Sequence, residues 1–176
     1  MSHGSQAVSI MKNITRNILP VLLALTAGLN NATVVADDQQ QFESILKMSK
    51  SPDGVVFEIL ADEDGLEWAI PRIQHYSHYL REKFPHIAIA VVSHGNEQFA
   101  LQTDYQEDNK EIHTQVKSLL GSKVQIHVCG TYAGWKGINP EDFPDYVDVV
   151  PSGPAQIRSY IELGYTRIEV EPPEDH

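Results

Sequence analysis

The sequence has little cysteine, little positive charge and no long hydrophobic run. Its 176 residues include one cysteine, Cys129, so an intramolecular disulfide is excluded. The chain carries 13 basic against 24 acidic residues, a net charge of −11, which disfavours nucleic acid and anionic lipid as partners. It has no internal repeat, no Gly-rich phosphate loop and no serine nucleophile motif. These absences leave a single thiol as the candidate reactive group.

Residues 1–36 predict a secretory signal peptide. Two basic residues precede an apolar run over 18–29, and Val34-Val35-Ala36 supplies the small residues that a signal peptidase recognises. The run is too short and too interrupted for a transmembrane helix, so we expect no stable membrane insertion after cleavage. Met11 begins a better-shaped signal peptide than the first methionine does. We therefore expect a periplasmic or secreted protein that is cleaved after Ala36.

Cleavage leaves a predicted mature chain with three parts. These are a loosely attached lead-in over 37–53, one α/β domain over 54–170 and an acidic tail over 171–176. Lys12 and Arg16 leave with the signal and no acid does, so 11 basic residues face 24 acidic ones, a net charge of −13. An exported protein meets an oxidising compartment. A lone cysteine there is either buried and inert or a free reactive thiol.

Strand and helix patterns alternate along the domain. Strands are predicted over Val55–Leu60, Ile87–Val92, Val124–Cys129, Val147–Val150 and Tyr165–Val170, with a short edge strand over Glu97–Thr103. Helices are predicted over Trp68–Phe84, from an Asp108–Glu111 capping box to Leu120, from Tyr132, and after Ser152 as the N-cap. Such alternation predicts an α/β fold, with a mainly parallel sheet of about five strands and helices on both faces.

Two reactive side chains fall at the carboxyl ends of different predicted strands, the edge where ligands gather in such sheets. Cys129 ends one strand, where Gly130 breaks the strand and Thr131 is expected to cap the next helix. A helix N-terminus there would favour a thiolate, the nucleophilic form of cysteine. His94 follows another strand and is expected to bond the thiol or carry its proton. Cys129 and His94 are therefore the candidate catalytic residues.

The segments around these strand ends resemble the DsrE/DsrF-like family. The similarity lies in Ile126-His127-Val128-Cys129, Trp135-Lys136-Gly137-Ile138, Pro151-Ser152-Gly153, Leu163-Gly164-Tyr165 and the Val91 to Gly95 turn. It covers roughly 55–170, although the acidic turn Asp62-Glu63-Asp64 departs from the small-residue turn of many members. The resemblance implies an α/β sheet with flavodoxin-like layering, a homotrimer or homohexamer, and a cysteine that carries sulfur as a persulfide.

That resemblance suggests a sulfur carrier or sulfurtransferase, with sulfur donors and acceptors as its partners. Gly95, Gly130, Thr131 and Trp135 are the expected binding residues beside Cys129 and His94. No cofactor and no metal is assigned. Two alternatives stay open at this point. The chain is an oligomeric binding or scaffolding module with an inert Cys129, or Cys129 holds a soft metal with His94 or His127.

Overall fold

A computed structural model describes residues 37–172, so the predicted signal peptide and the last four residues of the acidic tail lie outside the described part. Five strands form one sheet: β1 (Gly54–Ile59), β2 (Ala88–Ser93), β3 (Val124–Cys129), β4 (Asp148–Val150) and β5 (Tyr165–Glu169). Their order is β4-β3-β2-β1-β5, and every neighbouring pair is parallel. The predicted α/β fold with a parallel sheet of about five strands is confirmed.

Five α-helices accompany the sheet within the described residues. They are α1 (Asp37–Leu46), α2 (Gly65–Lys83), α3 (Lys110–Gly121), α4 (Gly130–Trp135) and α5 (Gly153–Glu162). Short 3₁₀ segments cover Asn96–Leu101, Thr103–Tyr105 and Pro140–Asp142. None of the helices in this part of the chain is both long enough and apolar enough to cross a membrane.

The sheet is covered on both faces, as the alternating pattern predicts. On one face, side chains such as Phe57 and Val91 form the larger apolar core with α1, α2 and α3. On the other face, Val56 and Val92 pack against Ile157 and Tyr160 of α5. Apolar residues occupy both faces of β1 and β2 because these central strands are buried on both sides.

The segment after the predicted cleavage site is a packed helix and not a loose lead-in. Phe42 and Ile45 of α1 are buried in the larger core, and Phe42 stacks on Tyr76 with 4.2 Å between ring centroids. Asp38 is fully buried and lies 3.0 Å from the guanidinium of Arg72. Long-range pairing therefore fixes a helix whose own sequence is mostly polar.

Several element boundaries differ from the prediction because tertiary contacts decide them. The predicted edge strand over Glu97–Thr103 lies in two successive 3₁₀ segments, Asn96–Leu101 and Thr103–Tyr105. Helix α3 begins after Asn109 without a side-chain cap, so the Asp108–Glu111 capping box is wrong. Ser152 does cap α5, accepting a hydrogen bond from the Ala155 N–H at 3.4 Å.

Helix α2 begins one turn earlier than predicted, so Pro71 lies inside it and not in its first turn. Proline has no N–H to donate to the carbonyl four residues earlier, which here belongs to Glu67. The helix nevertheless continues to Lys83, and Ile70 and Ile73 on either side of the proline are buried in the core. Packing of this apolar face outweighs the local cost of the proline.

Candidate functional site

Three neighbouring strands bring an acid, a histidine and the cysteine to one edge of the sheet. Glu58 is near the end of β1, His94 directly follows β2, and Cys129 is the last residue of β3. The Nε2 atom of His94 lies 2.8 Å from Oε1 of Glu58, so the ring donates a hydrogen bond to the carboxylate. As predicted, the parallel sheet places His94 and Cys129 at the same carboxyl edge.

Glu58 is also paired with a cation from the neighbouring strand. Nε of Arg167, on β5, lies 2.6 Å from Oε2 of Glu58. Burial acts to raise the pKa of Glu58. The hydrogen bond from His94 and the charges of Arg167 and His94 together outweigh burial and hold the pKa below its ordinary value. Glu58 is therefore a charged acceptor that fixes the orientation of the imidazole.

His94 and Cys129 are neighbours across the first residue of α5. A Cβ atom added to Gly153 would lie 2.7 Å from Cβ of His94 and 3.3 Å from Cβ of Cys129. Any side chain at this position would push the two residues apart, so the close approach requires glycine. Cys129 is only 4% exposed, and no hydrogen bond joins its sulfur to the His94 ring in the described part of the chain.

A buried amide holds the backbone of the cysteine. Oε1 of Gln98 accepts a hydrogen bond from the Cys129 N–H at 2.7 Å. Gln98 comes from the 3₁₀ segment after β2 and is fully buried, while its Nε2 group has no hydrogen-bond partner within residues 37–172. The cysteine backbone is thus fixed by a side chain 31 residues away. Helix α4 begins at Gly130, with Cys129 as its N-cap and no side-chain cap, so the predicted start near Tyr132 with Thr131 as the cap is wrong.

A second buried acid organises the turn that carries His94. Glu97 accepts hydrogen bonds from the Ser93 hydroxyl at 2.7 Å, the Gly95 N–H at 3.0 Å and the Ala61 N–H at 2.8 Å. Burial raises the pKa of Glu97, opposed by these hydrogen bonds. A Cβ on Gly95 would lie 2.3 Å from Oε2 of Glu97, so this glycine is required for the tight turn.

A cavity of about 650 Å³ opens beside this turn. Its described lining consists of Leu60, Ala61, Asp62, Asp64, Trp68, His94, Gly95, Asn96, Tyr132 and Pro172. The Tyr132 hydroxyl donates a hydrogen bond to Oδ1 of Asn96 at 2.6 Å, which ties α4 to the turn after β2. His94 lies on the cavity wall, whereas Cys129 does not.

The four expected binding residues lie in different surroundings. Gly95 lines the cavity. Gly130 packs on β4, where an added Cβ would lie 3.1 Å from the carbonyl oxygen of Val150, and Thr131 donates its hydroxyl hydrogen to the Pro151 carbonyl at 2.6 Å. Trp135 is 77% exposed at the end of α4 and does not line the cavity. The structure thus brings only Gly95 to the same cavity as His94.

His127 is engaged by protein groups at both ring nitrogens. Nδ1 lies 2.8 Å from Oδ2 of Asp148, and Nε2 lies 2.7 Å from the Tyr160 hydroxyl, which also donates to Gln125. Neither nitrogen is free for a metal. Among residues 37–172, no group of three or more His, Cys, Asp or Glu side chains is arranged to hold a metal ion. His127 is a hydrogen-bonded histidine that links β3 to β4 and α5.

Sequence reasoning missed the residues that support the site. Glu58, Gln98 and Glu97 were not singled out, although Glu58 interrupts an otherwise apolar strand. A lone carboxylate in a buried strand is a signal, because a buried charge requires a partner. Gln98 and Glu97 carry no such signal, since the backbone N–H groups of Cys129 and Ala61 that they accept from are distant in the chain.

Comparisons with known proteins identify similar solved structures, two of which are proteins of unknown function. No family model and no curated protein matches the sequence. The protein of unknown function MTH1491 from Methanobacterium thermoautotrophicum is similar, with 27% identity over 66% of this chain and 97% of that chain, at a TM-score of 0.55. The conserved protein of unknown function BT1422 from Bacteroides thetaiotaomicron shares 13% identity over 65% of this chain and 94% of its own, at a TM-score of 0.47. The similarity to MTH1491 supports the α/β fold.

Proposed function

We propose that this chain is a DsrE/DsrF-like sulfur carrier that holds sulfane sulfur as a persulfide on Cys129. The observation that carries the proposal is the row formed by Glu58, His94 and Cys129 at the ends of three adjacent parallel strands. A nucleophile, a neighbouring base and a group that orients the base are the parts that thiol activation needs.

The proposed transfer of sulfane sulfur needs no external oxidant. His94 takes the proton of the Cys129 thiol, and Glu58 stabilises the imidazolium that forms. The thiolate attacks the outer sulfur of a persulfide or polysulfide donor. The donor's sulfur–sulfur bond breaks, and the rest of the donor leaves as a thiolate with the electron pair. An acceptor thiolate then attacks the outer sulfur of the Cys129 persulfide. The sulfur–sulfur bond breaks, the outer sulfur stays on the acceptor, and Cys129 is released as a thiolate.

We propose that the sulfur donor reaches Cys129 from the cavity. His94 lines the cavity and Cys129 lies beside His94 across Gly153, so a donor there approaches the imidazole first. Because the cysteine is 4% exposed, a small persulfide or polysulfide suits the site better than a persulfide carried on another protein. In this proposal the chain is a carrier or sulfurtransferase whose specificity comes from access to the thiol.

Export and assembly form part of the same proposal. We place the protein in the periplasm or outside the cell, with its mature chain beginning at Asp37. N-terminal sequencing that finds Met1 or Met11 on the folded protein would contradict this.

We also propose a homotrimer or homohexamer. The ground for this assembly is the resemblance to the DsrE/DsrF-like family, whose members associate as trimers or hexamers. A monomer mass by light scattering at micromolar concentration would contradict it.

A binding module with an inert Cys129 is the second candidate. The low exposure of the cysteine favours it, since a free cysteine often packs as a small apolar side chain. The cavity beside His94 then binds a ligand without covalent chemistry. This candidate predicts that thiol reagents modify the protein only after unfolding.

Alkylation of the native protein separates the two candidates. We expect iodoacetamide to modify Cys129 in the folded chain, and His94→Ala to slow the reaction about tenfold or more, because general-base assistance contributes factors of this size or larger. Tyr160→Phe is the matched control, since Tyr160 contacts His127 and not His94. Modification that requires denaturant would support the inert cysteine.

A further inference from the structure

We propose that the carboxamide of Gln98 is part of the sulfur site, and that its Nε2 group donates a hydrogen bond to the outer sulfur of the Cys129 persulfide. This role rests on the proposed sulfur-carrier function and adds to it a residue that supports the loaded state. The observation behind it is a buried amide group beside the cysteine that has no hydrogen-bond partner within residues 37–172.

The Cys129 backbone fixes the orientation of the Gln98 side chain. The Cys129 N–H can only donate, so the carboxamide atom that lies 2.7 Å from it must be the oxygen, Oε1. Nε2 is bonded to the same carbon as Oε1 and therefore also lies beside the cysteine. Gln98 is fully buried, and its Nε2 group makes no hydrogen bond to any described residue. A strong donor group thus remains unused next to the thiol.

This unused donor is held in place by contacts that do not involve Nε2. Glu97, the preceding residue, accepts hydrogen bonds from the Ala61 N–H and from two groups of the turn after β2. The 3₁₀ segment that carries Gln98 is fixed by these bonds. An unpaired buried amide lowers stability, because it loses its hydrogen bonds to water and gains none. A fixed donor of this kind suits a site where negative charge appears only during the reaction.

The persulfide is the state that brings negative charge to this site. Sulfur loading lengthens the Cys129 side chain by one atom, and the outer sulfur carries the charge once the persulfide is deprotonated. Because Cys129 is 4% exposed, protein donors must replace water around that charge. Two backbone donors at the start of α4 are already used, the Cys129 N–H by Gln98 and the Thr131 N–H by the Pro151 carbonyl.

The donor distinguishes the persulfide from the thiol. Nε2 makes no hydrogen bond to Sγ of Cys129 in the thiol form that the structure describes. The outer sulfur of a persulfide lies one bond beyond Sγ, so it can accept where Sγ does not. Gln98 should therefore lower the pKa of the persulfide more than that of the thiol, since a hydrogen bond to the charged form favours that form.

Two substitutions of Gln98 isolate the contribution of Nε2. Gln98→Glu keeps an acceptor for the Cys129 N–H but adds an acid, whereas Gln98→Met adds no charge but removes the acceptor. The only loss that they share is the Nε2 donor. Iodoacetamide alkylates both the thiol and the persulfide of Cys129, and the two products differ in mass by one sulfur atom. Alkylation rates against pH therefore give a separate midpoint for each form.

The relevant quantity is the difference between the thiol and persulfide midpoints of one protein, because effects that act equally on both forms cancel. We expect both Gln98 variants to raise the persulfide midpoint relative to the thiol midpoint by about one pH unit. Gln102→Glu is the matched control, since Gln102 follows the same 3₁₀ segment and lines a separate cavity. It should leave the difference unchanged.

Wild type offers a second measurement that needs no variant to fold. In ¹H–¹⁵N spectra, we expect one side-chain amide proton of Gln98 to move downfield on sulfur loading, as a hydrogen bond to an anion requires. The amide protons of Gln102 should stay in place. Gln98 protons that do not move, or Gln98 variants that keep the wild-type difference between midpoints, would overturn the role of Gln98 while sulfur transfer stands. Native wild type that gains no sulfur would overturn both.

Discussion

Glu58 illustrates how one carboxylate can serve both stability and the proposed chemistry. Its two oxygens contact different elements, with His94 on one and Arg167 on the other. Removing a partner from a buried charge costs more than an exposed contact contributes. At the scale of single residues, the stability of the site therefore depends on the two contacts of Glu58 more than on contacts of exposed side chains.

Replacing Glu58 with glutamine should lower stability in a pH-dependent way. At neutral pH we expect a loss of about 1–3 kcal/mol in the free energy of unfolding, since hydrogen bonds to a charged acceptor are replaced by neutral ones. The pKa of Glu58 is below its ordinary value in the folded state. Its contribution is therefore present above the ordinary pKa and lost as pH falls through the folded-state pKa.

The measurement is urea unfolding of wild type and Glu58→Gln from neutral to acid pH. The difference between the two proteins is the relevant quantity, because burial raises the pKa of Glu97 and changes the wild-type curve in the opposite direction. The difference should shrink as pH falls. A difference that stays constant, or grows towards acid pH, would show that the charge on Glu58 does not stabilise the fold.

At the scale of elements, local patterns predicted the sheet well. Ile87 to Val92 is an uninterrupted apolar run, and Val55 to Leu60 is apolar apart from Glu58. Such runs become central parallel strands because both faces are buried. The strand-end rule then placed His94 and Cys129 at the correct edge. These features depend on residues close together in the chain, which is why the sequence alone sufficed.

The elements that sequence reasoning missed depend on distant partners. Helix α1 is held by the pair between Asp38 and Arg72, 34 residues apart. The 3₁₀ segment after β2 exists because Glu97 and Gln98 bond the backbone of Ala61 and Cys129. Neither relation has a local signature. Gly153 also has no local signature, because its role depends on how α5 packs against the ends of β2 and β3.

Gly153 provides a test of how tightly α5 meets the site. Gly153→Ala adds a Cβ that would lie 2.7 Å from Cβ of His94, so we expect a loss of about 1–3 kcal/mol in stability. Native alkylation of Cys129 should also change, because His94 must shift. Gly134→Ala in α4 is the matched control, since nothing lies within 4 Å of its added Cβ.

Gly134→Ala should be neutral or stabilising by up to about 1 kcal/mol, because alanine favours helix and has fewer unfolded conformations. Unfolding in urea reports both stabilities under identical conditions. Equal effects of the two substitutions would mean that α5 has room to move away from His94 at little cost, and that the site is less tightly packed than the distances indicate.

At the scale of the whole molecule, the two ends of the described chain meet. The Asp37 nitrogen lies 3.4 Å from Oε2 of Glu171, and Arg72 donates to the Glu171 carbonyl at 2.6 Å. Cleavage after Ala36, as proposed, would turn the Asp37 nitrogen into an ammonium group beside this carboxylate. The start of the acidic tail is thus attached to α2, while the rest of the tail lies outside the described residues.

The central claim is that Cys129 carries sulfur in the folded protein, and intact-mass spectrometry after exposure to polysulfide tests it most directly. We expect one added sulfur atom per chain on native wild type, removal of that sulfur by dithiothreitol, and no addition to Cys129→Ser, which keeps the fold because serine is nearly isosteric. His94→Ala should acquire the sulfur more slowly. Native wild type that gains no sulfur, while the unfolded chain does, would contradict the account.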